Sequence, residues 1–180
     1  MSVAVLFAEG FEEIEAITIV DVLRRAEIKT YMVGLESLTV TGAHDIRMKM
    51  DCLLRDLTES ELVMTVLPGG LPGSTNLRDS KEVITHLKGM NHLGKYTAAI
   101  CAAPIALEKA GLLEGKKATS YPAFEEQLTS ADYQQERVVQ DGNIITSRGP
   151  ATALEFSLKL VEVLGKPDAA EALSQGMLLK

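Results

Sequence analysis

The chain has 180 residues, 18 Lys plus Arg against 25 Asp plus Glu, 46% hydrophobic residues and two cysteines. Such a chain reads as one ordinary globular domain, 1–180, able to bury its own core without a disulfide or metal staple. The net charge of −7 argues against the clustered basic surface that nucleic acid or anionic membrane requires, so neither is an expected partner.

Two cysteines are too few for a disulfide framework and fit a reducing compartment. The opening run MSVAVLFAEG has no basic region and meets Glu9 too soon for a secretory leader. No apolar run is long enough to span a bilayer. A cytoplasmic protein is expected.

Val3–Phe7 is a continuous apolar run and reads as a strand buried on both faces. Phe11 to Ala26 places Ile14, Ile17, Val20, Val22 and Leu23 at helical spacing, with Glu12, Glu13 and Glu15 in the first turn, where they suit the positive end of a helix dipole. Lys29–Gly34 is a second strand, completing a β-α-β unit that implies a parallel sheet with a right-handed crossover. Residues 37–58 mix charged and apolar positions and read as short strands or a connecting segment. Leu62–Leu67 is a buried strand ending on Pro68-Gly69-Gly70. Ser80–His92 is an amphipathic helix capped by Ser80. Tyr96–Ile100 is a strand, and Cys101–Ala110 a helix closed by Gly111. A short strand at 118–120 and a helix near Phe124–Leu128 follow. Asp141-Gly142 joins a hairpin. Thr152–Leu164 is a helix, broken by Gly165-Lys166-Pro167, and Ala169–Gln175 is the last helix. This alternation predicts a doubly wound, mostly parallel α/β sheet sandwiched by helices.

Open parallel sheets bind ligands beyond the carboxyl ends of their strands. Cys101 sits at such an end, where a strand turns directly into a helix. Its neighbours at −2 and +2 are Ala99 and Ala103, and a sharp elbow brings those positions together and admits only small side chains. The helix N-terminus there is expected to favour a thiolate. The alternative is a buried filler cysteine. Glu15 is out of phase with Glu12 and Glu13, which are expected to face solvent. Held in an apolar setting it would have a raised pKa and could donate a hydrogen bond or shuttle a proton. The alternative is another solvated glutamate. The N–H groups of Gly70 and Ala102 could form an oxyanion hole beside Cys101, or Pro68-Gly69-Gly70 could be a plain turn. No dinucleotide fingerprint or P-loop is present. His86 and His92 share a helix and are expected to be solvated. No spacing among His44, Asp51 and Cys52 matches a zinc site, so no metal is expected. Cys52 reads as structural.

Four runs together carry a resemblance. Glu9-Gly10-Phe11-Glu12-Glu13-Ile14-Glu15, Leu67-Pro68-Gly69-Gly70, Ala98-Ala99-Ile100-Cys101-Ala102-Ala103-Pro104 and Thr146-Ser147-Arg148-Gly149-Pro150 resemble the ThiJ/PfpI superfamily. They are most similar to its parkinsonism-associated deglycase branch, including bacterial members labelled ThiJ. The resemblance implies a flavodoxin-like α/β sandwich, usually a homodimer, without a cofactor. It implies that Cys101 is the reactive cysteine, Glu15 its protonated partner, and the Gly70 and Ala102 amides part of the site. Three positions depart from the family pattern. Tyr121 stands where animal members carry a histidine, His44 replaces an arginine near the dimer interface, and Ala151 replaces a glycine. Tyr121, His44 and Arg148 are candidate substrate-orienting residues. The protease branch has histidine directly after the cysteine; Ala102 argues against peptidase chemistry.

The leading expectation is a glyoxalase or deglycase acting on a small dicarbonyl, methylglyoxal above all, or on its glycated adducts. The alternatives are a redox sensor or holdase chaperone built on a Cys101 sulfinate, and a plain ligand-binding module.

Overall fold

The computed structural model describes residues 2–179. The chain begins with β1 (Ser2–Phe7), α1 (Glu13–Arg25), β2 (Lys29–Gly34), β3 (Thr39–Thr41), β4 (Arg47–Lys49), β5 (Cys52–Leu53) and β6 (Leu62–Leu67). It continues through α2 (Gly73–Asp79), α3 (Lys81–His92), β7 (Tyr96–Ile100), α4 (Pro104–Lys109), β8 (Lys117–Ala118) and β9 (Asp132–Tyr133). The last elements are β10 (Val138–Asp141), β11 (Ile144–Ser147), α5 (Ala153–Val163) and α6 (Pro167–Gly176).

Every residue of β1 is buried. The pleat sends Val3, Val5 and Phe7 into one core and Ala4 and Leu6 into the other. A strand apolar on both faces needs cover on both. Ala16, Ile19 and Leu23 of α1, Phe156 and Leu160 of α5 and Ala170 of α6 supply it on the first face. Leu77 of α2, Val83, Leu87 and Met90 of α3, and Ile105 of α4 supply it on the second. Each large side chain fully buried in this way contributes on the order of 2 kcal/mol.

Seven strands form one sheet in the order β10-β11-β7-β6-β1-β2-β5. Only the β10–β11 pair is antiparallel. The result is the flavodoxin-like α/β arrangement. From β1 the chain builds outward first to β2 and β5, then back across to β6, β7 and β11. The order reverses at the β1–β6 junction, the place where open sheets of this class form their ligand crevice beyond the strand ends.

Several sequence expectations need correction. Ile14 and Ile17 lie on the outer face of α1, 59% and 41% exposed. The core stripe of α1 is Ala16, Ile19, Val20 and Leu23 instead. Residues 37–58 form the β3–β4 hairpin, the edge strand β5 and short 3-10 turns. A helix absent from the sequence reading, α2, follows the Pro68-Gly69-Gly70 turn. The expected helix near Phe124 is a 3-10 segment, Pro122–Gln127. Pro167 opens α6 rather than breaking the chain before it, since the first turn needs no N–H from that position. His86 is buried, its Nε2 2.9 Å from Thr65 Oγ1. His92 is exposed as expected.

Candidate active site

Three neighbouring strands, β7, β6 and β1, end at one crevice, and each delivers one part of a cluster. After β7 the backbone turns at Cys101, which has φ +63°. That left-handed conformation costs a non-glycine residue on the order of 1 kcal/mol, and it persists where the surroundings enforce it. Here they do. The Cys101 N–H donates to Ser147 O at 3.0 Å, and its carbonyl accepts the Tyr121 N–H at 2.8 Å. Ala99 and Ala103 on either side are fully buried, which leaves no room for larger side chains. The sequence expectation of a helix from Cys101 is corrected: α4 begins at Pro104.

After β1, a short loop leads into α1 and places Glu15, fully buried, at the same crevice. Glu12 is the N-cap of α1, and its Oε2 accepts the Glu15 N–H at 2.7 Å. Glu13 accepts the His44 N–H on Oε1 at 2.7 Å, and its Oε2 lies 2.7 Å from His44 Nδ1. Glu12 and Glu13 are therefore buried, at 8% and 3% exposure, not solvated as the sequence suggested.

After β6 comes Pro68-Gly69-Gly70. The Gly69 N–H donates to Glu15 Oε2 at 2.7 Å, and its carbonyl accepts the Glu12 N–H at 2.8 Å. A Cβ at Gly69 would stand 2.5 Å from Cys101 Cβ and 2.6 Å from Glu15 Oε2. This glycine is the spacer that lets carboxyl and thiol approach. Gly70 has φ +90°, and a Cβ there would stand 2.4 Å from Glu12 N. Its N–H and that of Ala102 favour the Cys101 thiolate.

Burial pushes the Glu15 carboxyl up to about 7; the Gly69 N–H opposes this and the charge of Glu12 adds to it. Burial, and then the charge of Glu15, push the Cys101 thiol up to about 12, against the Gly70 and Ala102 amides. The thiol-lowering effect expected of a helix N-terminus is overridden, because α4 starts three residues later and the sulfur is partly buried. Two negative charges resist coexisting in this setting, so the pair retains at least one proton through the neutral range. Glu15 Oε1 has no hydrogen-bond partner among the described residues, which leaves one carboxyl oxygen available to an incoming group.

The remaining candidates lie at different distances from this chemistry. Tyr121 is tied to the elbow by its backbone, and its side chain is 46% exposed. Its ring lies against Gly149. Arg148 follows Ser147 and donates to Gln135 O at 2.8 Å, bracing the segment before β10. His44, with a side chain 71% exposed, is engaged by Glu13, and no contact brings it to Cys101. Burial opposes the Glu13 charge, but the two His44 hydrogen bonds hold its carboxyl below the usual range. Glu12, Glu13 and His44 place three ligand-type atoms within 4.8 Å of one another, yet the carboxylates already serve the cap and His44. Gly69 and Glu12 were missed as site residues. The Pro-Gly-Gly run pointed at the first, whereas nothing in the sequence marks a glutamate as a helix cap.

Comparison with known proteins follows the same line. The DJ-1/PfpI family pattern matches residues 1–163. The chain is 43% identical over 183 residues to Protein DJ-1 homolog A of Arabidopsis thaliana, covering 99% of this chain and 47% of that protein. It thus spans about half the length of that relative. It is 40% identical to Protein dj-1beta of Drosophila melanogaster over 99% of this chain and 97% of the other. The crystal structure of Drosophila DJ-1beta superposes with a TM-score of 0.95 over 98% of this chain and 97% of that one. A deglycase from Pyrococcus horikoshii is 32% identical over 91% of this chain and 99% of its own length. The chain belongs to the DJ-1/PfpI family.

Proposed function

We propose that the protein is a cysteine-dependent, cofactor-independent enzyme of the glyoxalase or deglycase type, acting on methylglyoxal or its adducts. One observation carries this reading: a fully buried carboxyl and a strained-elbow thiol stand together against Gly69. The name of the Pyrococcus relative, a deglycase, supports the same chemistry.

In the proposed reaction the thiolate sulfur bonds to the aldehyde carbon, and the carbonyl oxygen becomes a hemithioacetal hydroxyl by taking the pair's remaining proton from Glu15. The Gly70 and Ala102 N–H groups stabilise the oxyanion as it forms. Glu15 as carboxylate removes the proton from that carbon and returns it to the adjacent carbon, while the hydroxyl proton passes to the neighbouring ketone oxygen, converting the hemithioacetal to a thioester. Water then cleaves the thioester, releasing lactate and the thiol. Atoms and electrons balance with water as the only co-reactant. A carboxyl titrating near 7 suits both halves of the shuttle, because it is present in both forms at working pH. Tyr121 and Arg148, at the rim, are the proposed orienting groups.

The test is lactate formation from methylglyoxal by wild type, Cys101→Ala and Glu15→Gln prepared identically. Turnover no higher in wild type than in Cys101→Ala would sink the proposal.

A second reading rests on the unpartnered Glu15 Oε1. A protonated Glu15 could donate from that oxygen to a Cys101 sulfinate, making the thiol a redox sensor or the trigger of a holdase. Mild peroxide followed by intact mass should then add two oxygens at Cys101 selectively; oxidation confined to methionines would remove this reading. We also propose a homodimer in the cytoplasm. The exposed Ile14 and Ile17 supply an apolar face that a second copy would cover, and light scattering at the expected monomer mass would refute it. Among the described residues no helix is long and apolar enough to cross a membrane.

A further inference from the structure

We infer that Glu12 is a positioning residue for the reactive pair. Its carboxylate fixes Glu15 at the head of α1 and biases the pair's remaining proton towards the Glu15 carboxyl, which raises the thiolate share. This rests on the Cys101–Glu15 reading above and deepens it.

The geometry is a closed ring of hydrogen bonds. Glu12 Oε2 accepts the Glu15 N–H at 2.7 Å, the Glu12 N–H donates to Gly69 O at 2.8 Å, and the Gly69 N–H donates to Glu15 Oε2 at 2.7 Å. Three residues from two strand ends thereby hold one carboxyl in place. Capping alone does not explain the choice of glutamate. Ser, Thr, Asn and Asp are the favoured N-caps, and a neutral serine accepts the same bond. A glutamate adds a negative charge, here only 8% exposed, without a Lys or Arg partner among the described residues.

The groups facing Glu15 are few. From the β7–α4 elbow there is Cys101, from the loop after β6 the Gly69 amide, and from its own helix Glu12. Glu13 turns away to His44, which lies on the β3–β4 turn and partly offsets the charge of this acidic trio. Among the described residues Glu12 is the one like charge on Glu15 besides the sulfur itself, and it makes the carboxyl a better home for the proton than a neutral cap would.

The experiment reads Cys101 alkylation by iodoacetamide against pH, from 5 to 8.5, by intact mass. The thiolate with protonated Glu15 is the reacting form. On the acid limb its amount depends on the sulfur alone, so wild type and variants should superpose there. Above the inflection it depends on how the pair divides its proton. Glu12→Gln and Glu12→Ser should move the inflection about one pH unit to acid and lower the plateau about tenfold, the size expected for removing a like charge from a buried pair. Glu12→Asp, which keeps charge and cap, should stay with wild type. Neutral variants whose profile coincides with wild type overturn the inference. So do neutral variants that cannot fold while Glu12→Asp does, because Glu12 would then act through stability alone. The readout is independent of methylglyoxal. A normal wild-type profile without lactate would fail the proposed reaction and leave this inference standing.

Discussion

Glu15→Gln should stabilise the fold at alkaline pH while abolishing turnover. In the folded protein burial holds this carboxyl at about 7, against an ordinary value of 4.5. Below 4.5 both folded and unfolded chains carry the proton and there is no penalty. As pH rises through 4.5 the unfolded chain ionises first, so stability falls until the folded carboxyl ionises near 7, and then levels off. At about 1.4 kcal/mol per tenfold, the full penalty at pH 8 is on the order of 3 kcal/mol. Glutamine is neutral at every pH, like the protonated acid, and its carbonyl still accepts the Gly69 N–H; the extra strength of that bond to a carboxylate is already contained in the net shift. The gain at pH 8 is therefore about 3 kcal/mol, or a Tm higher by about 6–12 °C for a chain of this size. Thermal unfolding of both proteins at pH 4.5 and pH 8 tests it. A difference between variant and wild type that is the same at both pH values would refute the reasoning, because the penalty is proposed to exist only where the unfolded chain is ionised.

Three further outcomes are expected. Cys101→Gly should unfold at higher urea than Cys101→Ala, by about 1 kcal/mol, since only glycine relaxes at φ +63°; the reverse order is usual elsewhere. Gly69→Ala should remain folded by circular dichroism but lose at least about 100-fold in turnover, because the added carbon forces Glu15 or Cys101 to move. Burial holds His86 below its ordinary 6.5 despite the nearby Glu59. Its contribution to stability is therefore complete above 6.5 and declines as pH falls below it, and thermal unfolding of His86→Gln between pH 7.5 and 5 should show a flatter acid loss than wild type.

Much of the molecule was legible because its signals are of one period. Val3–Phe7, all apolar, and Leu62–Leu67, apolar but for Thr65, can only be central strands, and the Asp141-Gly142 hairpin has one cheap geometry. Cys101 and Glu15 were legible as candidates from small neighbours and from phase along a helix. What failed was solvation. Glu12, Glu13 and His86 are polar residues at positions where an isolated helix faces water, but the Gly69 loop, the β3–β4 turn and Thr65 of β6 cover them. Conversely Ile14 and Ile17 fit a helical stripe and yet face outward. The direction of the thiol shift was also misjudged. A helix start can be read locally, whereas burial and the charge of a residue 86 positions away cannot.

That separation has a consequence for how the protein comes into being. Cys101, Gly69 and Glu15 follow the ends of β7, β6 and β1, which meet only when three parallel strands lock into register. The single crossover from β6 to β7 can bring Gly69 and Cys101 together, but Glu15 joins them only when β1 pairs with β6. A partly folded chain therefore carries an ordinary thiol, and the distinctive pH profile of Cys101 appears in one step with closure of the central strands. Timed alkylation during refolding would make this sulfur a clock for the formation of the sheet.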